Sequence, residues 1–130
     1  SHDDRAEIIE IVGEVENKDA LVFDDLSISG RTIVDLSKEL KEKGAKKIFV
    51  GLSHLLLNKD SVKRIENSPI NKVVGTDSVN NEAVRKSKKF KVISVAPLFA
   101  ETISRIHNKK SVSPLFDNVP EKVFRESKNC

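Results

Sequence analysis

Residues 21–33 read LVFDDLSISGRTI, and this stretch decides the fold. Its first three residues form a short apolar run of the kind that makes a strand buried on both faces of a parallel sheet. Asp24 and Asp25 follow at once, so we place both carboxylates at the carboxyl end of that strand. Ligands of open α/β sheets bind in the crevice beyond those ends. The two aspartates are therefore candidate binding residues.

A loop of small residues comes next and opens onto a helical pattern. A glycine-containing loop before a helix presents unpaired backbone N–H groups and the positive end of the helix dipole, which suit a phosphate. Carboxylates beside such a cradle indicate a phosphorylated sugar, a divalent cation, or both. An ordinary helix start with Ser29 as the N-cap uses the same geometry, and the aspartates also suit loop or helix caps.

The residues after the loop predict alternating helices and strands. Ile33, Leu36 and Leu40 repeat at helical spacing, and Gly44 is placed to end the helix. Asp60 or Ser61 is expected to cap a short second helix. Strands are predicted at 47–52, 72–76 and 91–95, with a polar loop over 78–90 that has room for one helical turn.

The last third of the chain predicts one more amphipathic helix. Pro97 suits its first turn, Phe99, Ile103 and Ile106 share one side, and Asn108 suits a left-handed stop. Residues 111–116 are expected to be extended and packed.

Residues 7–15 are rich in β-branched side chains, and a polar turn at 16–19 joins them to the strand at 20. So short a connection makes an antiparallel pair, and we expect an edge strand or flap over 7–15. The predicted fold class is α/β, a mostly parallel twisted sheet flanked by helices with this antiparallel element near the N-terminus.

The loop LVFDDLSISGRTI resembles the signature loop of the type I phosphoribosyltransferase fold. Four further segments narrow the resemblance to the carboxy-terminal half of the ribose-phosphate diphosphokinase (PRPP synthetase) family, over residues 7–120. They are GAKKI (44–48), SH (53–54), RIENS (64–68) and VISVAPLFAETISRIHNKKSVSPLFDNVP (92–120).

The resemblance implies a ribose 5-phosphate site. It implies that the two aspartates hold the ribose hydroxyls, directly or through Mg²⁺, and that the following loop wraps the 5-phosphate. The residues it assigns to the site are Asp24, Asp25, Ile28, Ser29, Gly30, Arg31 and Thr32. Ile28 stands where many family members have Asp, and Arg31 where most have a small residue. Arg31 either adds a contact to the phosphate or crowds the cradle.

The resemblance also implies a reaction, in which ATP donates its β,γ-diphosphoryl group to the anomeric hydroxyl of ribose 5-phosphate, giving PRPP and AMP. The family's catalytic lysine and arginines, and much of its ATP site, precede the matched region. We therefore expect no catalytic residue in this chain, and expect the chain alone to bind the sugar phosphate weakly and turn over little or nothing. Residues 1–120 would be a partial domain, 121–130 a charged tail, and the parent a homo-oligomer.

Two other functions use the same loop. One is a phosphoribosyltransferase that consumes PRPP, which would require a base-recognition hood that the sequence does not display. The other is a non-catalytic regulatory relative of the synthetase, which the residues at 28 and 31 favour slightly.

Three residues beyond the loop are weaker site candidates. His54, Thr76 and Asp77 each follow or end a predicted strand at the ligand edge. A single histidine without a carboxylate partner is more often structural, and Thr76 and Asp77 are candidates for substrate or nucleotide contact.

Composition limits the remaining function classes. The 130 residues carry a formal charge of only +3 with their lysines scattered, so we expect no nucleic-acid partner. The one cysteine, Cys130, cannot frame a disulfide network or a metal cluster. No apolar run reaches the length of a membrane span, and we expect a cytoplasmic protein.

Overall fold

The computed structural model describes residues 13–117 and the single positions 11, 119 and 121. Strands and helices alternate along this part of the chain. In order, they are β1 (Ala20–Ser27), α1 (Arg31–Glu42), β2 (Ile48–Leu55), α2 (Lys59–Glu66), β3 (Lys72–Thr76), α3 (Glu82–Lys86), β4 (Phe90–Ile93), α4 (Ala96–His107) and α5 (Pro114–Asp117).

The four strands form one parallel sheet in the order β1-β2-β3-β4. A helix connects each strand to the next, and right-handed crossovers place α1, α2 and α3 on the same face. All four strands end at one edge of the sheet. The predicted α/β class, with a parallel sheet flanked by helices, is confirmed.

The hydrophobic core lies between the sheet and these helices. Ile48 and Val73 on the strands and Ile65 on α2 are fully buried, each with 0 % exposure. Ile33 and Leu40 of α1 join the same cluster and Leu36 packs against it, as the helical spacing predicted. Gly44, at φ 88°, follows Lys43, the C-cap of α1, so the predicted glycine stop is also confirmed.

The opposite face of the sheet is apolar and open. Leu21 and Phe23 are 68 % and 78 % exposed, whereas Val22 between them is half-buried toward the helices. The prediction that this run is buried on both faces is wrong within the described residues. An apolar run satisfies either one covered face or two, and only the neighbours present in the fold decide.

The predicted antiparallel strand lies mostly outside the described residues, since 7–10 and 12 are not among them. Residues 13–15 form no strand, although Ile11 and Val15 pack against the core. The predicted turn at 16–19 is present. Asn17 has a φ of 60°, and its amide donates to the carbonyl of Gly44 over 2.9 Å.

The observed boundaries of strands and helices differ from the predicted ones where strand pairing or helix capping competes with the local sequence pattern. β1 runs to Ser27 and β2 to Leu55, because the ladder between them continues past the apolar run. The cap of α2 is Asn58, whose side chain accepts from the Ser61 amide, so the expected cap at Asp60 or Ser61 is wrong.

The chain after β4 also departs from the pattern. α4 begins near Pro97 as predicted, but none of its side chains is buried against the described residues. The left-handed residue is Lys109, with a φ of 53°, and not Asn108. The expected extended segment at 111–116 instead contains α5, which buries Leu115. Of the expected charged tail, only residue 121 is described.

None of the helices in the described residues has the length and apolar character needed to cross a membrane.

Candidate functional site

An open depression of about 690 Å³ lies at the carboxyl-end half of the sheet. Asp24 and Asp25 of β1, Ser53 of β2 and Thr76 of β3 provide its polar lining. The rest of the lining is glycine and apolar side chains: Phe23, Gly51, Leu52, Val74, Gly75 and Ile93. The sequence predicted that the two aspartates follow the apolar run at the end of the strand. Because β1 extends to Ser27, they lie within the strand instead.

Asp24 and Asp25 are exposed, and each binds its neighbour's backbone through one oxygen. Oδ1 of Asp24 accepts from the Asp25 amide and Oδ1 of Asp25 accepts from the Leu26 amide, both over 2.8 Å. Oδ2 of each makes no hydrogen bond within the described part of the chain. Both carboxylates therefore keep an oxygen that a sugar hydroxyl or a cation can reach.

The loop that follows β1 ends in a left-handed glycine. Gly30 has φ 68° and ψ 3° and is the N-cap of α1, where no side chain caps the helix. Ser29 is not the N-cap that the sequence allowed, but its Oγ accepts from the Arg31 amide over 3.3 Å. The first amides of a helix have no carbonyl four residues earlier to bind. With no acidic residue in its first turn, the positive end of α1 is open to an anion.

Two hydrogen bonds attach the loop to α2, and Gly30 lies close to the same helix. Ser61 Oγ lies 2.9 Å from the carbonyl oxygen of Ile28, and Arg64 Nη1 donates to the carbonyl of Ser29. A Cβ added to Gly30 would lie 3.1 Å from Cδ1 of Ile65. No local pattern pointed to Ser61 or Arg64 as site residues, because their partners are 33 and 35 residues away in sequence.

The side chains of Ile28 and Arg31, where the sequence differs from the pattern of the family that it resembles, both face solvent. Ile28 is 61 % exposed, and Arg31 and Thr32 are also exposed. Neither Ile28 nor Arg31 is needed to fill the core, so their identities affect the surface of the loop and not its packing.

His54 and Thr76, at the carboxyl ends of β2 and β3, both contact Ser78. Nδ1 of His54 lies 2.8 Å from the hydroxyl of Ser78, and Thr76 Oγ1 donates to the carbonyl of Ser53 over 2.6 Å. Thr76 and Ser78 also hydrogen-bond to each other. The structure thus joins two of the three weaker candidates in one polar cluster beside the aspartates, with Ser53 and Ser78 as members that the sequence did not single out.

Asp77, the third weaker candidate, faces the start of α4. Its Oδ1 accepts from the Val95 amide over 2.8 Å. The Ser94 hydroxyl and then this amide hold the pKa of Asp77 below its ordinary value of 3.8. The carboxylate fixes the turn between β4 and α4 and does not line the depression.

Asp77→Asn tests this role through pH. A carboxyl group with a lowered pKa in the folded state stabilises the fold fully above 3.8, and that contribution disappears as pH falls through the folded pKa. We expect wild type to exceed the variant by at most about 1 kcal/mol at neutral pH, since partly exposed contacts are screened. The two stabilities should converge in acid. Urea denaturation across pH measures this, with Asp19→Asn as an exposed control, and a constant difference at every pH would contradict it.

Comparison with known proteins gives consistent matches. The sequence profile of the phosphoribosyl synthetase-associated domain family matches residues 3–117. A ribose-phosphate pyrophosphokinase of Thermosipho africanus (strain TCF52B) is 40 % identical over 114 residues, which are 88 % of this chain and 35 % of that protein. One from Staphylococcus aureus (strain Mu50 / ATCC 700699) is 39 % identical over 112 residues, covering 86 % and 35 %.

A solved structure has the same fold. The crystal structure of phosphoribosylpyrophosphate synthetase from Mycobacterium smegmatis superposes with a TM-score of 0.72 at 28 % identity, over 75 % of this chain and 33 % of that one. The chain thus spans about a third of the length of the relatives that it matches.

Proposed function

Because the chain belongs to the phosphoribosyl synthetase-associated domain family, we propose that it forms the ribose 5-phosphate site of a ribose-phosphate diphosphokinase (PRPP synthetase). The relatives are named as ribose-phosphate pyrophosphokinases. The enzyme transfers the diphosphoryl group of ATP to the anomeric hydroxyl of ribose 5-phosphate, yielding PRPP and AMP. One observation carries the proposal: two carboxylates with available oxygens stand a few residues before an uncapped helix N-terminus.

The 5-phosphate binds at the loop and the first turn of α1. Backbone amides of Gly30, Arg31 and Thr32 and the hydroxyls of Ser29 and Thr32 are its donors, and Gly30 lets the backbone approach the phosphate closely. The Arg31 amide exchanges its 3.3 Å hydrogen bond to Ser29 Oγ for one to the phosphate. Ile28 borders this cradle. The positive end of α1 adds electrostatic attraction for the dianion.

Asp24 and Asp25 hold the ribose hydroxyls, with Mg²⁺ as the cofactor of the reaction. The described residues contain no group of three or more metal-ligating side chains. The carboxylates of Asp24 and Asp25 still suit Mg²⁺, which commonly takes one or two carboxylates and completes its shell with waters and substrate oxygens. The ion, when bound, neutralises charge on the transferring phosphoryl groups.

The rest of the reaction requires parts of the enzyme outside this chain. We place the chain, over residues 1–120, at the carboxy-terminal half of the enzyme because of its signature loop and the RIHN and SVSPLF segments. The catalytic residues and most of the ATP site then lie in the other half. In this proposal the parent is a cytoplasmic homo-oligomer, and the chain alone binds ribose 5-phosphate weakly with little or no turnover.

The two alternative functions have less support. Both a PRPP-consuming transferase and a regulatory subunit would share the loop, but the relatives are named as pyrophosphokinases. The substitutions at Ile28 and Arg31 are on exposed side chains and leave the backbone cradle in place. They retune the site in this proposal and do not remove it.

Titrating ribose 5-phosphate into the chain by calorimetry, with and without Mg²⁺, tests the site. We expect Asp24→Asn and Asp25→Asn each to weaken binding about tenfold, because each loses a charge-assisted hydrogen bond worth about 1.5–3 kcal/mol in favourable cases. Asp19→Asn makes the same charge change before β1 and should bind like wild type. Equal affinities for all four proteins would remove the aspartates from the site.

A further inference from the structure

We infer that Ser61 and Arg64 of α2 are positioning residues that hold the backbone amides of Ser29 and Gly30 toward the bound 5-phosphate. The inference rests on the proposed function, since it identifies what shapes the phosphate cradle. Neither side chain is assigned a contact with the ligand. Both act through the carbonyl groups of the loop.

Ser61 and Arg64 set the direction of two carbonyl groups in the loop. Ser61 is 1 % exposed, and its hydroxyl lies 2.9 Å from the carbonyl oxygen of Ile28. The same hydroxyl lies 2.9 Å from Oδ1 of Asn58, and its single proton serves one acceptor at a time. Arg64 Nη1 donates to the carbonyl of Ser29. The carbonyls of Ile28 and Ser29 therefore both point toward α2.

Peptide geometry then sets the direction of the amides of Ser29 and Gly30. In a trans peptide, the carbonyl and the next N–H point in opposite directions, and the peptide bonds of the described residues are trans. The N–H groups of Ser29 and Gly30 therefore point away from α2. Two successive amides aimed in one direction form an anion-binding concavity. The amides at the start of α1 extend it.

A positioning role requires that α2 itself be held in place. Asn58 caps its N-terminus through the Ser61 amide over 2.9 Å. At the other end, Lys89 Nζ donates to the carbonyls of Ile65, Glu66 and Ser68 over 2.8–3.0 Å. Burial lowers the pKa of this lysine, as expected for an ammonium group held against the protein. The helix is thus fixed at both ends.

The positive charge of Arg64 also acts on the peptide between Ser29 and Gly30. A guanidinium that donates to a carbonyl polarises that peptide and makes its N–H a better donor. Arg64 therefore strengthens the Gly30 amide in addition to orienting it. Lysine at this position keeps the charge but offers a single point donor without the planar fork of arginine, so it should restore the function only in part.

Nitrogen-15 NMR of the full 130-residue chain tests the inference with ribose 5-phosphate as the probe. In the free protein, we expect Arg64→Ala to shift the Gly30 amide signal, because the carbonyl before it loses its donor. On titration, Arg64→Ala should bind about tenfold more weakly than wild type, Ser61→Ala less severely so, and Arg64→Lys should fall between wild type and Arg64→Ala. Lys63→Ala, an exposed neighbour on the same helix, should match wild type in both measurements.

Several outcomes overturn the inference. Wild-type affinity in both Arg64→Ala and Ser61→Ala would do so while leaving the proposed function intact. A loss of affinity in Arg64→Ala without any change at Gly30 in the free protein would also do so, because lost positive charge then explains the effect. No binding by wild type itself would remove the proposed function and the inference together. Should Arg64→Ala lose the dispersed amide spectrum of a folded chain, two other variants decide by affinity and by an amide shift in the free protein. The amide to follow is that of Ser29 in Ser61→Ala and that of Gly30 in Arg64→Lys.

Discussion

Ile65→Ala is expected to lower the free energy of unfolding by about 4 kcal/mol, within the 2–5 kcal/mol typical of such deletions in a core. Ile65 has 0 % exposure and lies beneath the loop, with Cδ1 3.1 Å from the position of a Cβ on Gly30. The substitution leaves a cavity between α2 and the sheet that neighbouring side chains fill only in part. A loss of this size is a large fraction of the total stability of a domain, which is typically about 5–15 kcal/mol.

Urea denaturation of wild type, Ile65→Ala and Ile106→Ala measures this effect. Ile106 lies on α4 and is 63 % exposed, so the same deletion there should change stability by less than about 0.5 kcal/mol. Comparable losses in the two variants would contradict the core that the structure assigns. If the proposed function holds, loss of the support beneath Gly30 should also weaken binding of ribose 5-phosphate under conditions in which the variant remains folded.

Gly75→Val is expected to cost about 3 kcal/mol, whereas Gly51→Val should cost less than about 1 kcal/mol. A Cβ on Gly75 would lie 2.6 Å from both Cγ and Cδ1 of Leu55, and a Cβ on Gly51 would lie 2.6 Å from Cδ1 of Phe23. The initial clash is thus the same at the two positions. What differs is the freedom of the neighbour to move.

Burial decides between the two glycines. Leu55 is 1 % exposed and packed in the core, so it can yield only by displacing other core side chains. Phe23 is 78 % exposed on the open face, and its ring can rotate away, while the strand preference of valine offsets part of the cost. Thermal or urea unfolding of both variants is the measurement. Equal losses would indicate that the face bearing Phe23 is packed, contrary to the structure.

The elements that sequence pattern predicted well are those governed by periodicity. The spacing of Ile33, Leu36 and Leu40 located α1, and the KVVGT run located β3 with the bounds that the structure has, Lys72–Thr76. These segments satisfy their local preference and their tertiary packing together. The predicted boundaries were wrong where an element paired with another part of the chain. At β1, pairing with β2 continues beyond the apolar run to Ser27.

The candidate site also contains residues that the sequence could predict and residues that it could not. Asp24, Asp25 and the loop from Ile28 to Thr32 could be proposed from sequence, because the chemistry of carboxylates and of a helix start is carried by neighbouring residues. The polar cluster of His54, Thr76 and Ser78 could be proposed only in part. Ser78 was not singled out, because its partners His54 and Ser53 lie 24 and 25 residues away in sequence.

The sequence by itself determined the α/β class, the alternation of the main strands and helices and the position of a glycine-containing loop before α1, since these depend on residue spacing within a few turns of helix or one strand. Only the tertiary structure decided which face of the sheet is covered, that Asp77 anchors the start of α4, and that α2 braces the loop through Ser61 and Arg64. Those contacts join residues from 18 to 35 positions apart. No local preference encodes such a contact, because its partner comes within reach only when the strands and helices pack.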